Sequence, residues 1–457
     1  MTLSPAVQRK VSHAGTTHPS FEKASQELAA MADLKIRAKQ VERWTKRVGQ
    51  ERVEERDAEV RQWQAMPLPK RRQCAVSVPQ DTVAAISLDG GRAQTWSEAD
   101  AAPTTSDEEA LVAPVEPPPE SRSSHWRETR IGCAMTFTST PQATDPRPQI
   151  PLKFVDPAQI RKLTREIGHA VPGDGVGMQA ESEKAAASPP DDQPGSDESA
   201  SAEDLPAAAG EYAASASSSS KLDNPAHPKL KSKSVTATRR CFDALAKMLL
   251  ARAWRQGFPT ADRKAFLGDG AAVLWRIWQE YFSTYTPILD FIHVISYVYA
   301  AALAGRPYAE GWEIYRRWAQ WTWEGNVDLV IAELTARSAE LGPPQKGDSD
   351  TCPRRVAARA LTYLTNHRQY MHYAKYRRQG LPITTSHMES TVKQVSRRVK
   401  GTEKFWSESG IEALLQLTAD ELSDDMPLDE FWQNRPKRHQ GQRRNSRTRA
   451  PSYATAS

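Results

Sequence analysis

The sequence predicts an α/β protein: a mixed sheet flanked by helices, preceded by a helical N-terminal region and interrupted by an all-helical insertion and by disordered inserts. Three observations lead there. Hydrophobic spacing is helical over residues 20–63, then gives way to short apolar runs near 83–96 and 129–137 and to a strand–turn–helix–strand unit from Ala265 to Phe291. Helical spacing returns over most of 294–380. The chain is also polar for its 457 residues, with 26% charged residues and a mean hydropathy of -0.64, so part of it carries too little apolar surface to fold.

In the N-terminal region, residues 1–75, Phe21, Ala24, Leu28 and Met31 recur at helical spacing, and a break falls at Asp33-Leu34-Lys35. A second helix carries Val41, Trp44 and Val48 on one face, with Lys39, Gln40, Arg43, Lys46 and Arg47 around the rest. Two helices, a tight connection and a basic second helix suit a helix-turn-helix DNA reader, although any small helical hairpin shares the pattern. Residues 76–140 form the first part of the sheet. Val83-Ala84-Ala85-Ile86-Ser87-Leu88 reads as a strand ending at Asp89-Gly90-Gly91, Ala93-Gln94-Thr95-Trp96 as a paired return strand, and 129–137 as a third, after a Pro-, Ala- and acid-rich insert at 98–122.

Residues 141–235 read mostly as a low-complexity linker, dominated by Ala, Ser, Pro and Asp over 180–228. The second part of the core, 236–300, opens with a helix at 238–255, whose Phe242, Leu245, Leu249 and Ala253 share a face, and continues into the strand–turn–helix–strand unit. Residues 301–380 are the helical insertion; its Trp312, Trp318, Trp321 and Trp323 read as helix packing rather than base stacking. A helix carrying Glu389 completes the core over 381–425. The stretch 426–457 reads as a flexible basic arm, with seven Lys and Arg residues between Arg435 and Arg449.

Net charge is only +5, but acidic residues gather in the low-complexity segments, whereas Lys and Arg gather in the N-terminal helices, around 393–404 and in the tail. Such local basic surfaces suit a polyanion. Cys74, Cys133, Cys241 and Cys352 lack CxxC spacing, which speaks against a zinc site or a disulfide framework. With no signal peptide pattern and no bilayer-length apolar run, the expected compartment is a reducing cytoplasm.

Three carboxylates stand out. Asp89 and Asp269 each end a buried-looking strand and each adjoin glycine, which permits close approach of a ligand but is also ordinary turn chemistry. Glu389 lies on a helix whose Met388, Val392, Val395 and Val399 share a face. Glu389, Lys393, Arg397, Lys400 and Lys404 share another, about 130° around. A solvated Glu–Lys row is the plain alternative.

The blocks Ile86-Ser87-Leu88-Asp89-Gly90-Gly91-Arg92, His125-Trp126-Arg127-Glu128, Leu267-Gly268-Asp269-Gly270-Ala271 and Ile288-Leu289-Asp290-Phe291-Ile292-His293 come in that order. His367-Arg368-Gln369-Tyr370-Met371, Gly380-Leu381-Pro382-Ile383, Met388-Glu389-Ser390, Lys393-Gln394 and Arg397-Arg398-Val399-Lys400-Gly401 follow. In kind and spacing, over residues 4–96, 125–138 and 238–433, they resemble the DDE transposases of bacterial insertion sequences, the ISKra-type group most of all. The resemblance implies an RNase H-like core with a helical insertion between the second aspartate and the glutamate. It also implies DNA cleavage at element ends and strand transfer of a 3′-hydroxyl into target DNA. Two Mg²⁺ or Mn²⁺ ions would be held by Asp89, Asp269 and Glu389, on double-stranded DNA, by a homo-oligomer.

Lys39, Arg43, Lys46 and Arg47, with Lys393, Arg397, Lys400 and Lys404, are then the expected phosphate contacts. Asp290-x-x-His293 resembles a signature of eukaryotic relatives and reads either as a metal or DNA-end contact or as a buried hydrogen-bonded pair. The loop Thr384-Thr385-Ser386-His387, where relatives often have Ser-Gly, and Leu417-Thr418 depart from the pattern. A nuclease that stops at hydrolysis, or a transposase-derived DNA-binding protein without activity, is the alternative.

Overall fold

The computed structural model describes residues 3–74, 76–95, 126–167, 227–401 and 404–441, with the backbone alone given for 436–441. The strands are β1 (Thr82–Thr95), β2 (Trp126–Thr138), β3 (Lys229–Thr238), β4 (Arg263–Gly268), β5 (Thr286–Leu289) and β6 (Phe405–Trp406). They form one sheet in the order β3-β2-β1-β4-β5, with β6 paired to the far end of β1. The pairs β1–β2 and β2–β3 are antiparallel, whereas β1–β4, β4–β5 and β1–β6 are parallel. The chain is thus mixed α/β, a mixed sheet flanked by helices, as its sequence predicts.

The helices before the sheet are α1 (Pro5–Thr17), α2 (Phe21–Ala32), α3 (Ala38–Ala65) and α4 (Leu68–Arg72). Within and after it come α5 (Pro157–Glu166), α6 (Phe242–Arg255), α7 (Ala272–Tyr281) and α8 (Phe291–Leu303). The insertion continues with α9 (Tyr308–Glu324), α10 (Val327–Leu341), α11 (Pro353–His367) and α12 (Tyr373–Arg378). The chain then returns to the sheet with α13 (Ser386–Val399), α14 (Glu408–Glu421) and α15 (Pro427–Gly441).

The central strand corrects the sequence reading. β1 does not stop at Asp89: its ladder with β2 runs unbroken from Thr82↔Thr138 to Gln94↔Trp126, so Asp89 lies mid-strand opposite Ile131. Gly91 serves packing rather than a turn. A Cβ on Gly91 would lie 2.7 Å from Thr129 Oγ1 and would face Ser396 on α13. On the opposite face, a Cβ on Gly132 would strike Leu249 of α6 at 2.5 Å. Val83 to Leu88 are all buried, as a strand covered on both faces requires. Trp96 and the inserts at 98–122 and 180–226 lie outside the described residues.

Part of the presumed linker is ordered. Leu152–Phe154 forms a 3₁₀ turn, α5 follows it, and Lys229–Thr238 is the edge strand β3. Lysine-rich sequence hid that strand, and lysines on an edge keep other chains from pairing there. At the other edge, Asp290 is not part of a strand; it caps α8, accepting from the His293 N–H.

The expected break after α2 is present, with Asp33 in the left-handed region. An additional helix, α1, precedes it, capped by Ser4 with Pro5 in its first turn. The middle of α3 is fastened to α14 by the buried pairs Arg52–Asp420 at 2.9 Å and Arg56–Glu412 at 3.0 Å. Arg435 does not belong to a loose arm either: it is buried on α15 and donates to Glu51 at 2.6 Å. In the insertion Trp318 and Trp323 are buried and Trp312 and Trp321 pack against the core, so the tryptophans are structural. Among the described residues, no helix is long and apolar enough to cross a membrane.

A candidate cleft of carboxylates

Sheet register brings two aspartates level. Ser87 on β1 pairs with Leu267 on β4 in parallel, so two residues further along each strand Asp89 stands beside Asp269. Neighbouring strands are only about 4.8 Å apart. Asp269 follows β4 in a turn that needs glycine: Gly270 has φ +105°, and the Asp269 carboxylate accepts the Ala271 N–H at 2.9 Å. From the insertion, Tyr363 donates its hydroxyl to the Asp269 carbonyl at 2.7 Å, and its ring covers Gly270.

Glu389 enters from a third direction. The apolar stripe of α13 behaves as its spacing predicts, with Met388, Val395 and Val399 buried. Glu389 sits in the first turn, where the helix dipole favours a carboxylate. Asp89, Asp269 and Glu389 line one open cleft of about 260 Å³, with Ser87, Thr385, His293 and Lys393. All three are partly exposed, so the cleft is reachable from solvent. Glu166, at the end of α5, also lines it, 4.0 Å from Lys393 Nζ. No sequence signal pointed to Glu166, because only the fold returns α5 to this place.

Burial and the nearby Asp269 charge push the Asp89 carboxyl up to about 6, against a 2.6 Å hydrogen bond from Gly90 N–H. Glu389 is also raised, by burial first and then by the charges of Asp290 and Asp89, while His293 and Lys393 act in the other direction. The carboxylates therefore repel one another inside a desolvated cleft, a state that a cation would relieve.

Asp290 and His293 form the hydrogen-bonded pair, and together with Glu389 they also meet a metal-compatible spacing. Asp290 is fully buried; its Oδ2 accepts His293 Nδ1 at 2.7 Å and the His293 N–H at 2.9 Å, and its Oδ1 accepts the Thr385 N–H at 2.7 Å. Donor atoms of Asp290, His293 and Glu389 lie within 4.8 Å of one another, a spacing compatible with a metal ion. Asp290 accepts three hydrogen bonds, and His293 is raised to about 9: burial opposes its charge, but the Asp290 bond and the charges of Asp290, Asp269 and Glu389 prevail. Asp89, Asp269 and Glu389 line the same cleft with oxygen donors of the kind a hard divalent ion prefers, but among the described residues the 4.8 Å grouping is met by Asp290, His293 and Glu389 instead.

Comparison with known proteins supplies no relative. No family model, curated protein or solved structure matches this chain.

The expected basic contacts divide. Lys393 and Arg397 are exposed on α13, Lys393 at the cleft. Lys400 and Lys404 do not continue the row, because the helix ends at Val399. Lys400 lies 5.9 Å from the Trp126 ring centroid, and Lys404 donates to the carbonyls of Arg397 and Arg398 as a C-terminal cap. In α3, Arg43 is exposed, Arg47 lies 3.6 Å from Glu51, and Lys39 and Lys46 both bond Glu42.

Proposed function

We propose that the chain is a DNA transposase of the DDE type, cleaving phosphodiester bonds at element ends and transferring the 3′-hydroxyl to target DNA. One observation carries this reading: Asp89, Asp269 and Glu389, separated by 180 and 120 positions in the sequence, line a single solvent-reachable cleft. An RNase H-like reading of the core asks for a mixed sheet with the first aspartate on its central strand and a helical insertion between the second aspartate and the glutamate. The strand order and α8 to α12 are compatible with both.

The three carboxylates would hold Mg²⁺ or Mn²⁺, which, when bound, activates the attacking oxygen and stabilises the departing one. The chain's own residues do the rest. Tyr363 fixes the turn bearing Asp269, and Asp290 fixes the start of the helix bearing Glu389 through the Thr385 N–H. His293, held by Asp290, supplies a positive charge beside the carboxylates when protonated, and Lys393 and Arg397 offer cations to a phosphate backbone approaching α13. Double-stranded DNA is the partner, and joining two ends calls for a homo-oligomer.

The test uses the full chain, Mg²⁺ and DNA taken from the two flanks of its gene. Joined products dependent on a free 3′-hydroxyl are expected, and each of Asp89→Asn, Asp269→Asn and Glu389→Gln should abolish them while leaving end binding largely intact. Cleaved but unjoined DNA would assign a nuclease instead, and full activity in any one variant would remove that residue from the chemistry.

A further inference from the structure

A second cavity, of about 480 Å³, lies on the other side of the loop that leads into α13. Thr384, Ser386 and His387 face it, whereas Thr385, Met388 and Glu389 face the carboxylate cleft. Its apolar walls include the rings of Phe137, Phe154 and Trp323 and several prolines, flat surfaces that suit a planar body. Its volume is in the range that holds a small organic ligand.

The charged lining is of one sign. Among the described residues, Arg147, Lys153, Lys229 and Arg377 line the cavity beside the imidazoles of His227 and His387, and no carboxylate does. These charges crowd one another. Lys153 is held below its ordinary range by burial and by Arg147, and His227 by burial and then by Arg147, Lys153 and Lys229. Among the described residues, neither Arg147 nor Lys153 has an ion-pair partner. Arg377 adds an independent sign of an absent acceptor. It is buried, stacks 3.8 Å from the Trp323 ring centroid and is paired through two nitrogens with Asp145, yet its Nη1 has no hydrogen-bond partner. Clustered cations beside aromatic walls fit a multiply charged anion carried on a planar apolar group. A monoanionic fatty acid would need neither the several charges nor the flat walls.

We propose that this cavity binds one nucleotide, its base among the apolar walls and its phosphate at the cluster of Arg147, Lys153 and His227. The site stands on its own residues and does not depend on what the carboxylate cleft does. The nucleotide is either free or the terminal unit of a DNA strand, and both present the same chemistry.

The experiment titrates the full chain with dAMP in EDTA, by calorimetry and by the shift of the thermal midpoint. Deoxyadenosine, inorganic phosphate, dodecanoate and a single-stranded oligonucleotide with or without a terminal phosphate serve as comparisons. Saturable dAMP binding is expected, with deoxyadenosine at least about tenfold weaker because it lacks the charge-assisted bonds. The double variant Arg147→Glu, Lys153→Glu should lose about tenfold or more in dAMP affinity with an unchanged ligand-free midpoint. Glu389→Gln, on the other side of the loop, should bind dAMP as the parent does, which separates this site from the cleft. Tighter binding of the phosphorylated oligonucleotide, lost in the double variant, would make the occupant a strand end; preference for dAMP would make it a free nucleotide, and either supports the site. No dAMP binding, equal affinity in the double variant, or stronger binding of dodecanoate would overturn it.

Discussion

Replacing Asp290 by alanine removes the acceptor of three hydrogen bonds at once: from Thr385 N–H at 2.7 Å, His293 N–H at 2.9 Å and His293 Nδ1 at 2.7 Å. The residue is fully buried, so water cannot replace the carboxylate without opening the site. A lost helix N-cap costs about 1 kcal/mol. A buried donor without an acceptor costs about 1–3 kcal/mol. The imidazolium of His293 loses its counter-ion as well, and breaking a buried charge pair from one side costs about 3–5 kcal/mol, the figure expected for the whole change because these terms overlap. Asp290→Asn keeps one oxygen able to accept from Thr385 and should lose less than the alanine variant. Urea unfolding of the full chain at neutral pH measures both. A loss within about 0.5 kcal/mol for Asp290→Ala, the size of an ordinary surface substitution, would refute the role of Asp290 as the clamp between α8 and the glutamate helix.

The same pair makes stability depend on pH. Because the folded value for His293, about 9, lies above its ordinary 6.5, the contribution is complete below pH 6.5 and is lost as the pH rises through 9. The size is up to about 3 kcal/mol, read from urea midpoints at pH 6 and 9.5; an equal drop in Asp290→Asn would dissociate it from the pair. Asp89 acts in the opposite sense, since a carboxyl raised to about 6 penalises the folded state above that pH. Asp89→Asn should therefore stabilise the ion-free protein at pH 7.5 by about 1–3 kcal/mol, and a destabilised variant would contradict the repulsion inferred for the cleft. Arg398 is buried on α13, donates twice to the Gly15 carbonyl and lies over Phe21 and Trp406. Arg398→Ala should cost about 2–4 kcal/mol in urea unfolding, with Arg398→Lys a poor rescue because lysine lacks the planar fork; full stability in Arg398→Lys would count against stacking.

Much of this was legible in the residues. Short apolar runs gave the interior strands, the glycine after Asp269 marked a turn that demands a left-handed backbone, and the stripe of Met388, Val395 and Val399 gave the buried side of α13. What stayed hidden depended on distant partners. Asp89-Gly90-Gly91 resembles a turn until Thr129 is seen to occupy the space that a side chain at Gly91 would need. The lysines of β3 resemble coil because an edge strand wears its charges outward. Glu166 reaches the cleft only because α5 packs beside α8, and the cations of the second cavity come from three segments that no local pattern connects.

The central claim is that Asp89, Asp269 and Glu389 act together as one cation-binding group, and calorimetric titration of the full chain with Mn²⁺ at pH 7.5 addresses it most directly. Saturable binding is expected in the parent, with at least about a tenfold loss in each of Asp89→Asn, Asp269→Asn and Glu389→Gln. Parent-like Mn²⁺ affinity in any of the three, or binding that disappears only in His293→Ala, would contradict it.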